Sequence, residues 1–128
     1  MKEFMFFIRK QFDSKKELAP DVHEQFLKSC EQYISKLKTE GKLIAAQPIE
    51  RTGKIISGNE SGWKEVSFDE TPEVIGGYYH ILAKDEQEAI EIAKANPEFA
   101  FNKNTRIEVR SIKTKEDTTG FTYPIEKK

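Results

Sequence analysis

Gly76-Gly77-Tyr78-Tyr79-His80-Ile81-Leu82-Ala83, running straight into Lys84-Asp85-Glu86-Gln87-Glu88-Ala89, is the stretch on which the fold turns. Two glycines open an apolar strand, and a helix follows without a spacer. Asp85 has the short acceptor side chain that caps a helix start, and Glu88, three residues on, completes a capping box. Ala89, Ile92 and Ala93 then form a narrow apolar stripe, with Ile90 beside it, small enough to lie close to a sheet. Asn96-Pro97 ends this helix. After a polar loop, residues 106–112 alternate, with Ile107 and Val109 on one face and Arg106, Glu108 and Arg110 on the other. The C-terminal half is therefore one β-α-β unit.

The N-terminal half repeats the pattern. Residues 2–9 read as a strand with Phe4, Phe6 and Ile8 pointing one way and Met5 and Phe7 the other. A strand that is apolar on both sides needs cover on both sides. Residues 11–19 are polar and read as a loop. Pro20 suits the first turn of a helix. Val22, Phe26, Cys30, Tyr33, Ile34 and Leu37 recur at spacings of three and four, so one apolar face runs to about residue 40. Gly41 supplies the stop. Residues 43–49 form the second strand, with Pro48 at its end or edge. Residues 54–56 and 63–68 flank a turn-rich segment at 58–62, predicting a hairpin with a loose tip, which Thr71-Pro72-Glu73 breaks.

The order β-α-β, hairpin, β-α-β predicts an α+β, ferredoxin-like domain, with an antiparallel sheet and both helices on one face. The other face is left apolar by the first strand, and a second copy is its natural cover, so a homodimer through the open sheet face is expected. Residues 1–112 make the domain. Residues 113–128 are a polar tail, mobile or docking late, with Phe121 and Tyr123 as its large apolar groups.

Composition narrows the function classes. Apolar residues are 37 % and charged residues 34 % of 128, a polar balance from which a modest core is expected, with room for a partner to supply some of the buried surface. A net charge of −1 gives no electrostatic case for nucleic acid or an anionic membrane. No stretch approaches the roughly 18 apolar residues of a membrane span. The apolar run at 4–8 is cut short by Arg9 and Lys10, so it is a strand and not a signal peptide. The lone cysteine, Cys30, forms no internal disulfide and fits a cytoplasmic setting.

The order of elements resembles the YCII-related family, in particular its DGPF branch. The matching pieces are Gly41-Lys42-Leu43, Gln47-Pro48-Ile49, then Phe68, Glu70 and Thr71. After them come Glu73-Val74-Ile75-Gly76-Gly77-Tyr78-Tyr79, the acidic helix, and Ile107-Glu108-Val109-Arg110-Ser111-Ile112. Together they span residues 2–112. The resemblance implies the dimeric α/β-barrel version of the ferredoxin-like fold. Where the branch carries Asp-Gly-Pro-Phe, this chain reads Glu65-Val66-Ser67-Phe68, so the tight Gly-Pro bend is lost. Better-studied relatives of the wider family look like small enzymes with a His/Asp pair, the histidine lying in the first helix. Counting back from Gly41, that histidine falls near Cys30 and not at His23, so it does not carry over.

The candidates for chemistry are few. His80 lies mid-strand on the face of Tyr78 and Leu82, and as a general acid or base it needs a carboxylate in reach. Asp69, Glu70 and Glu73 on the preceding segment are the expected orienters; the plainer reading is a half-buried histidine bonded to backbone. Arg9 and Arg110 could clamp a carboxylate or phosphate, or pair with Glu108 or Glu3. Tyr78 and Tyr79 point to opposite faces, and Tyr79, with Trp63 at the hairpin tip, is taken as a ligand contact. Gly76 and Gly77 match no phosphate loop and instead permit a bulge or a close backbone approach. His23 reads as surface, and Cys30 as a small hydrophobe. Two histidines and one cysteine make a zinc site improbable, and no cofactor is implied.

Three functions stand open at this point. One is a small-molecule enzyme or ligand-binding protein using His80 with a nearby acid. The second is a non-catalytic dimeric binding or accessory module. The third is an oligomeric adaptor that uses the tail.

Overall fold

The computed structural model describes residues 1–11, 19–67 and 72–123. Its elements are β1 (Lys2–Gln11), α1 (Pro20–Thr39), β2 (Leu43–Pro48), β3 (Lys54–Asn59), β4 (Gly62–Ser67), β5 (Glu73–Ala83), α2 (Glu86–Lys94), α3 (Glu98–Phe101) and β6 (Arg106–Ser111). Four strands form one sheet in the order β2-β5-β1-β6, and every neighbouring pair is antiparallel. Each β-α-β unit thus has a strand of the other unit inserted between its own two strands, which is the ferredoxin-like arrangement.

The core forms where β1 and β5 turn their alternate side chains toward the helices. Phe4, Phe6 and Ile8 of β1 pack with Tyr79, Ile81 and Ala83 of β5, under Leu37 of α1 and Ala89 and Ala93 of α2. Phe6 and Ile81 are fully buried; burial of such a side chain contributes about 1.5–3 kcal/mol. The two alanines carry no bulk, so α2 lies close to the strands beneath it.

The helix ends follow the sequence closely. Asp85 accepts from the Glu88 amide at 2.8 Å, while the Glu88 carboxylate reaches back to the Lys84 amide at 3.1 Å. At the end of α1, Gly41 takes φ +69°, Gly41 N–H donates to Lys38 O, and Lys42 N–H donates to Leu37 O. These two bonds are the paired closure that a left-handed glycine permits.

Three details differ from expectation. The β3–β4 tip is tight, with Asn59 paired directly to Gly62. Asn59 Oδ1 accepts from the Ser61 amide at 2.9 Å, and Gly58 takes φ +107°, so the turn is ordered by its own residues. The strand expected to open at Gly76 begins three residues earlier, at Glu73, the last residue of the expected break. The loop after α2 contains the short helix α3, started by Asn96 Oδ1 accepting from the Glu98 amide at 2.9 Å. Within the C-terminal segment, Lys115 bridges Thr122, and Tyr123 Oη donates to Glu116 at 2.8 Å.

The glycine pair performs the anticipated backbone role. Ile8 pairs with Gly77 and Arg9 with Ile75, so Gly76 is an extra residue, a bulge in β5. The insertion reverses the alternation: Tyr78, His80 and Leu82 face away from the helices, and beyond the bulge Ile75 and Glu73 do so. Val74, only 7 % exposed, turns to the core. Gly77 sits against β2, where an added Cβ would lie 3.1 Å from Gln47 O, whereas at Gly76 it would meet only the flexible Lys10 side chain. We therefore expect Gly77→Ala to destabilise by about 1–2 kcal/mol through overpacking, and Gly76→Ala by less. Denaturant melts of the two variants check this, and equal losses would contradict the assigned contact.

Candidate active face of the sheet

The sheet face away from the helices is built from β1, β5 and β6. Met5 stands between His80 and Arg110, and Phe7 between Tyr78 and Glu108. Met5, Phe7, Tyr78 and His80 are each half-buried. A cavity of about 630 Å³ opens over Met5, Phe7 and Tyr78, closed on one side by Ile49 and Ile55.

His80 has a carboxylate partner, and it is Glu3. Its Nε2 lies 2.7 Å from Glu3 Oε1, across the β1–β5 pairing. An ionised carboxylate only accepts, so Nε2 carries the hydrogen and Nδ1 is the basic position of the neutral ring. The expected orienters do not take this place. Asp69 and Glu70, with Phe68 and Thr71, lie outside the described residues. Glu73 shares the face but stands seven residues along the strand, roughly 20 Å from His80 at the usual rise.

Glu73 instead organises the far end. Its carboxylate receives a bidentate pair from Arg106, Nε at 2.8 Å and Nη2 at 2.7 Å, and Arg9 Nη2 lies 2.7 Å away. Arg9 also reaches Glu108 at 3.2 Å, and Arg110 approaches the same carboxylate at 3.7 Å. Arg9 and Arg110 are thus linked through Glu108 but do not stand side by side. Arg9 is paired with Arg106, four residues from Arg110. The carboxylate-paired reading of both arginines describes this arrangement, and Arg106 is the member that sequence reasoning passed over.

The two tyrosines separate by face as alternation requires. Tyr79 packs beneath α1, edge-on to Tyr33 with ring centroids 5.6 Å apart, and burial pushes its hydroxyl up to about 12. It cannot contact a ligand on the open face; Tyr78 is the tyrosine that can. Trp63 is 65 % exposed on β4, opposite Gly58 of the hairpin, and the hairpin does not pair with the four-stranded sheet. His23 is exposed beside Phe26. The Cys30 thiol is pushed up to about 11, first by burial and then by Glu98.

Among the described residues, no three His, Cys, Asp or Glu side chains come together as a metal site, and no helix is long and apolar enough to cross a membrane. The Arg106 hydrogen bonds hold the Glu73 carboxyl below the usual carboxylate range, with the charges of Arg106 and Arg9 adding to the effect. A carboxylate depressed in the folded state stabilises above its unfolded pKa, and that contribution is lost as pH falls through the folded value. Glu73→Gln should therefore flatten the decline in stability below the ordinary carboxylate range. Thermal melts of wild type and variant across pH 2–6 check this; parallel curves would mean that Glu73 is not held by the arginines in solution.

The family model described as the YCII-related domain matches residues 4–116. None of the curated proteins compared with the chain matches it.

Proposed function

The chain belongs to the YCII-related family, and from that premise we propose that it binds a small molecule on the open sheet face and performs acid–base chemistry there. The observation that carries this reading is the 2.7 Å contact between His80 Nε2 and Glu3 on a face lined by Met5, Phe7 and Tyr78. Glu3 fixes the ring and its tautomer, and Nδ1 exchanges a proton with the ligand. Tyr78 offers a ring to stack on and a hydroxyl to bond. We also place the chain in the DGPF branch, on its Gly-Gly-Tyr-Tyr strand and the Ile107–Ile112 sequence, and in the cytoplasm, on its single cysteine.

A second copy completes the site in this reading. Met5, Phe7, Tyr78 and Leu82 leave an apolar surface half-covered, and Ile55, Ile56, Trp63 and Val66 are exposed on a hairpin that lacks a sheet to join. An isolated two-stranded hairpin is marginal in water. Both features call for apolar cover, and a homodimer through the open face supplies it. A non-catalytic binding module is the second reading. It is favoured by the engagement of Arg9, Arg106 and Arg110 with carboxylates, which leaves these three cations already committed.

Acid–base chemistry is tested by incubating pooled carbon acids and lactones with the protein in D₂O and following deuterium incorporation or ring opening by NMR. A reacting compound should slow about 10²–10⁴-fold with His80→Gln, and less with Glu3→Gln. If no compound reacts, or His80→Gln is as active as wild type, the binding-module reading takes over. For the assembly, sedimentation should give a dimer, and Phe7→Glu should convert it to a folded monomer. A monomeric wild type would sink the proposed interface.

A further inference from the structure

The open sheet face runs from His80 toward a cationic end. Along β1, Met5 stands opposite His80, Phe7 opposite Tyr78 and Arg9 opposite Arg106 of β6. Met5 and Arg9 are four residues apart, roughly 13 Å at the usual rise. The cavity over Met5, Phe7 and Tyr78 reaches Arg9 and Glu73, and both residues also line an open trough of about 770 Å³ at the strand ends. The charged groups of that trough are Arg9, Lys103, Arg106 and Glu73. A histidine, an aromatic floor and a group of cations thus follow one another along a single face.

The one carboxylate in the trough does not balance its cations. Arg9 and Arg106 are directly paired across β1 and β6, an arrangement that like charges disfavour. Both turn to Glu73, whose Oε1 lies 2.7 Å from each of them. Arg9 also reaches Glu108, which Arg110 shares. Lys103, exposed on the turn before β6, pairs with no described carboxylate. Pairing does not exhaust the guanidiniums either. Each has five N–H groups; Arg106 spends its Nε–Nη2 edge on Glu73, and Arg9 bonds through Nη1 and Nη2, so both keep donors. Glu73, with its side chain only 16 % exposed, fixes the two forks in place. Surplus positive charge at the end of an apolar floor favours an anion that carries a ring.

On the premise that the open face binds a small molecule, we propose that this molecule ends in an oxyacid anion, a carboxylate or a phosphate monoester, held by Lys103 and the remaining N–H groups of Arg9 and Arg106. Its ring lies over Phe7 and Tyr78, and its reacting carbon faces His80. The anion and that carbon are then separated by a distance on the order of 10 Å, set by the strand spacing. A neutral ligand would gain nothing from Lys103, and a cationic one would be repelled.

The test is a ¹⁹F NMR titration of the full chain with 4-fluorophenylacetate, 4-fluorophenyl phosphate, 4-fluorotoluene and 4-fluorobenzylamine, with amide shifts mapped in parallel. Saturable binding of at least one anion is expected, about tenfold tighter than 4-fluorotoluene, with shifts at Phe7, Tyr78 and residues 103–106. The tighter anion identifies the oxyacid. Lys103→Ala, at an exposed position, should weaken the anions about tenfold, as expected for loss of a charge-assisted bond, and leave 4-fluorotoluene unchanged. Lys103→Arg should bind like wild type. His80→Gln should leave anion binding unaltered, which keeps this result independent of any acid–base chemistry. The proposal is overturned if neither anion saturates, if 4-fluorotoluene or 4-fluorobenzylamine binds as tightly, or if Lys103→Ala binds the anions normally. Shifts at Phe7 and Tyr78 without a preference for anions would overturn the anionic end alone; no shifts anywhere on the face would remove open-face binding as well.

Discussion

Strand β1 is apolar on both faces, and the rest of the molecule answers that constraint. It is paired on both edges, with β5 and β6, so its backbone is satisfied and only its side chains need cover. Phe4, Phe6 and Ile8 obtain it from α1 and α2. Met5 and Phe7 do not, because both helices cross on the same side, as right-handed crossovers of two interleaved β-α-β units require. The fold therefore finishes one side of its central strand and leaves the other incomplete. The hairpin repeats the imbalance, since β3 and β4 add exposed Ile56 and Trp63.

The single extra residue at Gly76 decides what chemistry each face can hold. Had β5 kept strict alternation, Glu73 would share the core side with Tyr79, and Val74 would face outward. With the bulge, Val74 fills the core and Glu73 meets Arg9 and Arg106 on the open side. The same irregularity leaves glycine backbone under α1, where Lys10 and Glu98 meet beside Phe26. One insertion thus collects carboxylate–guanidinium pairs on one side of the sheet and opens a slot on the other.

Local chemistry made most of the architecture legible from the chain alone. The Asp85 cap, the Gly41 stop, the α1 apolar face and the alternation of β6 depend on residues within one or two turns of each other, and sequence displays those directly. The Gly76-Gly77 bulge was legible for the same reason. What escaped were pairings fixed by register across the sheet. Glu3 is 77 residues from His80 in sequence, and only the antiparallel β1–β5 register brings them together. Glu73 looked closer but is separated by the length of the strand. Arg106 was passed over because its role exists only once Glu73, 33 residues away in sequence, is brought within reach. The choice between Tyr78 and Tyr79 needed the β1–β5 register, and the inward turn of Val74 needed the bulge to be located.

The His80–Glu3 pair also shows why the open face and its cover belong to one question. The two side chains are 23 % and 36 % exposed, and at such exposure water screens the contact and leaves it worth little. Removing water changes the balance, since the same contact in a less polar setting is stronger and holds the ring more firmly. Cover over Met5, Phe7 and Tyr78 would therefore do two things at once: bury the apolar groups that α1 and α2 cannot reach, and give the histidine a medium in which its carboxylate matters. A lone chain holds the His80–Glu3 contact without that medium. The acid–base proposal and the dimer proposal consequently rest on the same surface, and the strand that fills the core with Phe4 and Phe6 also lines the open face with Met5 and Phe7.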